Sequence, residues 1–152
     1  MQTDIHEKFM LLAIEEAKKA KLNGDWPFGA IVVKNEIVVG KGYTKDKSGG
    51  DVTDHAELVA VRDACRNLKS NNLQDCSIYC SNEPCLMCAT GIFQAYIGQV
   101  FIGASRDDLL RLLRPRNLRI EDLVKDTGHK VEIIRGILKD KVLELFKDIK
   151  KD

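Results

Sequence analysis

The chain has 152 residues, 44% hydrophobic and 31% charged, which suits a single globular domain over residues 1–152. Its formal net charge of +1 gives no global argument for binding nucleic acid or a membrane surface, although it leaves room for a local basic patch. No apolar run approaches the roughly 18 residues that span a bilayer, and the amphipathic N-terminus lacks a signal-peptide pattern, so we expect a cytoplasmic protein.

The first part of the chain predicts a helix, a hairpin and a second helix. Apolar residues at helical spacing predict a helix from Asp4 to about Leu22. Two β-branched runs in GAIVVKNEIVVGKGY flank Lys34–Glu36 and predict a β-hairpin. The polar, glycine-rich KDKSGGDVTD that follows predicts a flexible surface loop. A second helix is predicted from His55 to about Leu68, capped by Thr53 or Asp54.

The second part of the chain predicts strands and helices in alternation. SIYCS and QVFIGA predict strands on either side of a helix from Pro84 to about Tyr96, with the proline in its first turn. Ser105 to Thr127 is ambiguous, and short helices are expected around Pro115. KVEIIRG predicts a last strand and LKDKVLELFKDIKK a closing helix. This alternation predicts an α/β protein whose sheet is covered by helices on both faces.

The five cysteines raise a choice between core packing, disulfides, redox chemistry and metal binding. An odd count in a cytoplasmic protein argues against a disulfide framework. Cys76 and Cys80 lie about 13 Å apart in a predicted strand, so we expect plain burial for them and for Cys65. Cys85 and Cys88 differ, because residues three apart on a helix face the same way.

Cys85 and Cys88 lie in the first turns of a predicted helix, where free N–H groups and the positive end of the helix dipole favour thiolates. Two converging thiolates are half of a tetrahedral zinc site, although a redox pair or two buried residues are alternatives. Of the three histidines, His6 and His129 are expected to be ordinary surface residues. His55 opens a helix, and with two thiolates it would leave one position for water, as catalytic zinc sites do.

Glu57 follows His55 by two residues in DHAEL and is the candidate proton carrier. Zinc lowers the pKa of a bound water towards about 7, and hydrolysis then needs a carboxylate that does not bind the metal. Alone, Glu57 would be expected to be a solvated acid in the first turn of a helix. Beside His55, and with PCLMC further along the chain, the catalytic role is favoured.

The combination HAE…PCLMC matches the H-x-E…P-C-x-x-C signature of zinc nucleobase deaminases, and most of the chain resembles the cytidine deaminase-like superfamily. The segments WPFGAIVVKNEIVVGKGY, DHAELVAVRDACRNL and SNEPCLMCATGIF look like the branch that holds bacterial guanine deaminases and tRNA adenosine deaminases. PFGA and HAELVAVR lean towards the guanine deaminases. The tail GHKVEIIRGILKDKVLELF leans towards the tRNA adenosine deaminases.

The resemblance implies a three-layer α/β/α fold with a five-stranded mixed sheet, and usually a homodimer or larger assembly. It implies one zinc ion per chain, with His55, Cys85 and Cys88 as its ligands. It also implies Glu57 as the proton shuttle of a hydrolytic deamination that acts on a nucleobase or related heterocycle and releases ammonia.

The resemblance also suggests how a substrate would be held. Backbone groups near Ala30, Ala56 and Glu83 are expected to line the pocket, and Phe28 is a candidate for stacking on the base, although a core role is equally open. Many relatives carry an asparagine after the second strand, whose amide reads the base. Here the matching stretch reads GYT, so Thr44 takes its place with a hydroxyl of shorter reach.

A free purine base such as guanine is the main substrate expectation, and a tRNA-specific adenosine-to-inosine deaminase is the alternative. Guanine deaminases carry an aspartate-rich stretch near the tail, whereas the comparable region here reads RLLRPRNLRI. Its arginines either form a solvated basic face or bind an anion such as a tRNA backbone. They are Arg111, Arg114, Arg116 and Arg119. A non-catalytic zinc scaffold is disfavoured, because structural zinc normally takes four protein ligands.

Overall fold

A computed structural model describes the backbone of residues 2–151 and the side chains of residues 5–151. In chain order its elements are α1 (Gln2–Leu22), β1 (Gly29–Lys34), β2 (Ile37–Tyr43), α2 (Asp46–Gly49), α3 (Ala56–Leu68), β3 (Cys76–Asn82), α4 (Leu86–Gln94), β4 (Gln99–Ala104), a 3₁₀ turn (Arg106–Leu109), α5 (Ile120–Thr127), β5 (Glu132–Arg135) and α6 (Lys139–Glu144). Among the residues described, every helix is too short or too polar to traverse a bilayer.

The five strands form one mixed sheet in the order β2-β1-β3-β4-β5. Strand β1 runs antiparallel to β2 and β3, while β3, β4 and β5 are parallel to one another. The β1–β2 hairpin turns at Asn35 and Glu36, which both have the positive φ of a tight hairpin turn. The predicted hairpin and the predicted five-stranded mixed sheet between helical layers are confirmed.

Alternate side chains of the central strands enter two cores, one on each face of the sheet. Ala30 and Val32 of β1 pack with α3, α4 and α5, whereas Ile31 between them packs with α1 and α6. The same alternation in β3 places Cys76 and Cys80 in the α3 core as free, buried thiols. The predicted burial of these two cysteines is therefore confirmed.

The two helices nearest the predicted site begin later than the sequence indicated. His55 and Cys85 both have extended backbones and occupy the position just before the first turn, of α3 and α4 respectively. The caps predicted at Thr53 and Asp54 are therefore wrong, and the Asp54 carboxylate instead pairs with Arg62. The predicted flexible loop contains the short helix α2, which lies against the start of α3.

Two histidines predicted to be ordinary surface residues are partly buried. His6 places its Nδ1 2.8 Å from the Tyr79 hydroxyl and stacks on Phe101 with ring centroids 4.3 Å apart. His129 stacks on Phe93 at 4.6 Å. Both rings therefore help to fill the surface of the core, and neither belongs to the predicted metal cluster.

Strand β2 packs against the first turns of α3 so closely that it needs glycine. A Cβ added at Gly42 would lie 2.3 Å from the carbonyl oxygen of Ala56, and one at Gly40 would lie 2.5 Å from that of Ala60. Such distances are far below van der Waals contact, so any side chain here would push α3 away from the sheet. This contact sets the position of His55 and Glu57 relative to the strands.

We expect Gly42→Ala to lower the free energy of unfolding by about 1–3 kcal/mol. The added methyl group would meet backbone atoms that can move only together with α3. Gly98→Ala is the matched control, since a Cβ there meets no atom closer than 3.7 Å and should change stability little. Chemical denaturation of both variants measures the difference. Equal stability of Gly42→Ala and wild type would contradict the packing.

Candidate active site

His55, Cys85 and Cys88 converge where α3 and α4 begin. His55 directly precedes α3, Cys85 directly precedes α4, and Cys88 lies in the first turn of α4. The His55 Nδ1 lies 3.5 Å from the Cys85 Sγ, and the donor atoms of all three residues lie within 4.8 Å of one another. Three such donors at this spacing can hold one metal ion.

The donor set fits zinc in kind and in spacing. Tetrahedral zinc binds imidazole nitrogen at about 2.0–2.1 Å and thiolate sulfur at about 2.3 Å, which places two such donors about 3.6 Å apart. The observed 3.5 Å between His55 Nδ1 and Cys85 Sγ agrees with that value. With three protein donors, a tetrahedral ion would have one position left for water or substrate, which is typical of catalytic rather than structural zinc.

Hydrogen bonding between the two sulfurs makes this pair a good metal ligand. The hydrogen bond with Cys88, supported by one with His55, lowers the pKa of the Cys85 thiol to about 4. The same bond between the sulfurs, together with burial, raises the pKa of Cys88. A pair that shares one proton already has thiolate character, and a binding metal displaces the remaining proton.

Glu57 carries a buried carboxyl group beside the three candidate metal ligands. Its side chain is only 5% exposed, and this burial raises the pKa of Glu57 to about 7. A carboxyl with a pKa near neutrality can both accept and release a proton at physiological pH, which general acid–base catalysis requires. Glu57 lines the same cavity as His55 and Cys85, so it lies where a substrate could exchange protons with it.

The cavity above these residues has a volume of about 220 Å³. This is below the roughly 300–1,000 Å³ of pockets that enclose drug-sized ligands, so it suits a single ring system. Its lining includes Phe28, His55, Glu57, Asn82, Arg106 and Arg116. Phe28 faces the cavity and also packs on Phe146 of the tail, with ring centroids 5.9 Å apart.

The structure places only some of the predicted substrate residues at the cavity. Phe28 and Glu83 line it, whereas Ala30, Thr44 and Ala56 are buried outside its lining. The hydroxyl of Thr44 has no hydrogen-bond partner within the described part of the chain, and its backbone N–H donates to the Phe28 carbonyl at 3.1 Å. Substrate contacts of Ala30, Thr44 and Ala56 stay predictions.

Glu83 has a side-chain role that the sequence did not suggest. Its carboxylate is 4% exposed and pairs with Arg119 at 3.2 Å and Arg135 at 3.1 Å. It also accepts a hydrogen bond from the backbone N–H of Arg106 at 2.7 Å. These contacts tie the segment after β4, and strand β5, to the turn that carries Cys85.

The four arginines grouped by the sequence do not act as one basic face. The Arg111 guanidinium donates to the backbone carbonyls of Phe146 and Ile149, which anchors the tail. Arg119 is engaged with Glu83. Arg114 and Arg116 are exposed, and of the four only Arg116 lines the cavity.

Three residues at the site were missed by the sequence analysis. Arg106 and Asn82 line the cavity. Asp46 of α2 places its Oδ2 3.7 Å from His55 Nε2, on the opposite side of the ring from the cysteines. Asn82 directly precedes the recognised EPC segment and could have been noticed there. Arg106 and Asp46 lie in segments without a strong pattern, so only the fold brings them to the site.

Known deaminases resemble this chain in sequence and in structure. A family model described as the cytidine and deoxycytidylate deaminase zinc-binding region matches residues 3–104. A tRNA-specific adenosine deaminase of Buchnera aphidicola subsp. Schizaphis graminum is 37% identical over 109 residues, 72% of each chain. A guanine deaminase of Bacillus subtilis is 38% identical over 106 residues, 68% of this chain and 67% of that one. A solved structure from studies of A-to-I editing by tRNA:A34 deaminases superposes with a TM-score of 0.78 at 29% identity, covering 91% of this chain and 98% of that one.

We expect the purified protein to hold about one zinc ion per chain and to lose thermal stability when a chelator removes it, because the metal binds only the folded site. Cys88→Ser should lower zinc affinity strongly and abolish the stability response to chelator. Elemental analysis and thermal unfolding measure both effects. Cys65→Ser, outside the cluster, should retain the metal and the response. The same chelator response in both variants would contradict the assignment.

Proposed function

Because the chain belongs to the family of cytidine and deoxycytidylate deaminases, which share a zinc-binding region, we propose that it is a tRNA-specific adenosine deaminase that converts adenosine to inosine. Family membership accounts for the deaminase class and for zinc as the cofactor. The substrate and the roles of individual residues are the proposed part.

The observation that carries the choice of RNA is a pair of arginines where the cavity meets solvent. Arg106 and Arg116 both line the cavity, and Arg116 is exposed. Burial and the neighbouring Arg116 guanidinium lower the pKa of Arg106. Neither arginine forms an ion pair with a carboxylate among residues 5–151, whose side chains the structure describes. Two such guanidiniums suit the phosphates of a polyanionic substrate such as RNA. A free base carries no phosphate group.

Sequence similarity supports the same choice. A tRNA-specific adenosine deaminase of Rickettsia bellii is 34% identical over 137 residues, which is 89% of this chain and 92% of that one. The match to the Bacillus subtilis guanine deaminase covers 68% of this chain. The tRNA-specific candidate is therefore better supported than a free purine base.

A free purine such as guanine is the second candidate. The cavity of about 220 Å³ favours it to the extent that it accommodates one ring system without any attached sugar or phosphate. A base turned out of an RNA strand would occupy the same volume, with its ribose and phosphates outside. Volume alone thus does not separate the candidates, and the charge at the rim supports RNA. A homodimer stays a prediction under either one.

In the proposed hydrolysis, water replaces the amino group and ammonia leaves. Each residue of the site has a different role in this reaction. His55, Cys85 and Cys88 would hold the zinc ion, which when bound supplies a Lewis acid that makes the attacking water more acidic. Glu57 takes a proton from that water at its carboxylate and passes protons to the ring nitrogen and to the departing amine. Phe28 offers a ring face for stacking on the base.

Glu57→Gln tests the proton transfer, because it preserves the size of the side chain and removes the carboxylate. We expect the rate of inosine formation in an anticodon stem-loop to fall by about 10²–10⁴-fold, with zinc content unchanged. Glu15→Gln on the exposed side of α1 is the control and should behave as wild type. Activity of Glu57→Gln within threefold of wild type would remove the proposed role.

Arg116→Gln tests the RNA platform. Loss of one phosphate contact should weaken stem-loop binding and reduce the slope of log affinity against log salt by about 0.7. Turnover of a free base, where it occurs, should not change. Arg66→Gln, near the far end of α3, is a control of equal charge change. Wild-type protein that deaminates guanine but shows no salt-dependent stem-loop binding would favour the second candidate.

A further inference from the structure

Asn82, the last residue of β3, lines the catalytic cavity and carries an unpaired hydrogen-bond donor. Its side chain is 6% exposed and lines the cavity together with Glu57 and His55. The amide nitrogen Nδ2 is buried and has no hydrogen-bond partner in the region from residue 5 to residue 151. Buried polar groups are normally paired, so an unpaired donor on a residue that lines a cavity points to a ligand acceptor that pairs with it.

A short chain of hydrogen bonds fixes the orientation of this amide. The backbone N–H of Gly29 donates to Ser81 Oγ at 2.9 Å, so the hydroxyl retains its own hydrogen for another acceptor. The Asn82 Oδ1 lies 3.0 Å from Ser81 Oγ and is that acceptor. Turning the amide over would leave Ser81 Oγ facing two donors and its hydrogen unused. The Nδ2 group therefore stays directed away from Ser81.

We infer that Asn82 is a specificity-determining residue, whose Nδ2 donates a hydrogen bond to an acceptor atom of the base that is deaminated. The inference rests on the proposed function, because it assigns the cavity to a heterocyclic base. The acceptor is a ring nitrogen without hydrogen or a ring carbonyl oxygen. A base that places N–H or C–H at that point leaves Nδ2 buried and unpaired, and the site discriminates against it.

The first arm of the test measures binding to RNA by the zinc-loaded protein. Stem-loops carry adenosine, 1-deazaadenosine, 3-deazaadenosine or 7-deazaadenosine at the target position, since each deaza analogue exchanges one acceptor nitrogen for C–H. Dissociation constants are measured by fluorescence anisotropy in a Glu57→Gln background, so that no turnover occurs. One deaza analogue should bind about 3–10-fold more weakly than adenosine, the usual effect of one hydrogen bond.

Asn82→Leu and Asn82→Asp should abolish that particular discrimination and leave the other two analogues unaffected. Two variants are used because Leu removes both polar atoms, whereas Asp keeps the acceptor towards Ser81 and replaces the donor by a carboxylate oxygen. Zinc content and thermal unfolding confirm that each variant is folded. Asn71→Leu, at an exposed position in the loop that precedes β3, is the control and should retain the discrimination.

The second arm repeats the comparison with free purines, measured as kcat/KM in the presence of Glu57. Its probes are adenine, guanine, their deaza counterparts and 2-aminopurine, which lacks the O6 acceptor of guanine. Wild-type activity on RNA or on free base decides the proposed function separately from Asn82. Discrimination that disappears with the Asn82 variants in either arm supports the inference. Equal discrimination by wild type and both variants in both arms overturns it.

Discussion

Two helices that begin at the same edge of the sheet are the constraint on which this site depends. The candidate metal ligands His55 and Cys85 directly precede α3 and α4, and both helices direct free N–H groups and positive dipole ends towards the candidate metal site. Their spacing is set by close contacts: β2 has no room for a Cβ at Gly42, and a Cβ at Gly91 of α4 would lie 2.4 Å from Leu58 of α3. The metal site is thus a consequence of how tightly these layers pack.

Burial and charge then divide the cavity into an inner and an outer part. The inner part holds the buried carboxyl of Glu57 and the buried amide of Asn82, where low polarity strengthens each interaction with a substrate base. The outer part holds the half-buried Arg106 and the exposed Arg116. A base attached to a phosphate chain would match both parts, because only its ring has to lose its water.

Several charged residues near the site stabilise its framework through ion pairs and hydrogen bonds within the fold. Glu83 joins Arg119 and Arg135 in a cluster that connects three chain segments at the Cys85 turn. Removing one member of a buried ion pair typically costs about 3–5 kcal/mol, because its partner is left uncompensated. Arg111 similarly anchors the tail. Two of the four arginines in the basic stretch are therefore engaged within the fold, and the net charge of the stretch overstates the cations available to a ligand.

The sequence by itself determined the layered fold and the candidate catalytic group, because those features depend on local spacing. Helical and strand periods located the elements, and HAE and PCLMC each hold their functional residues within one or two helical turns. Tertiary structure alone decided that Arg106, Arg116 and Asn82 line the cavity while Thr44 does not. Those positions depend on contacts between segments far apart in the chain, and local periodicity carries no information about which distant segments will meet.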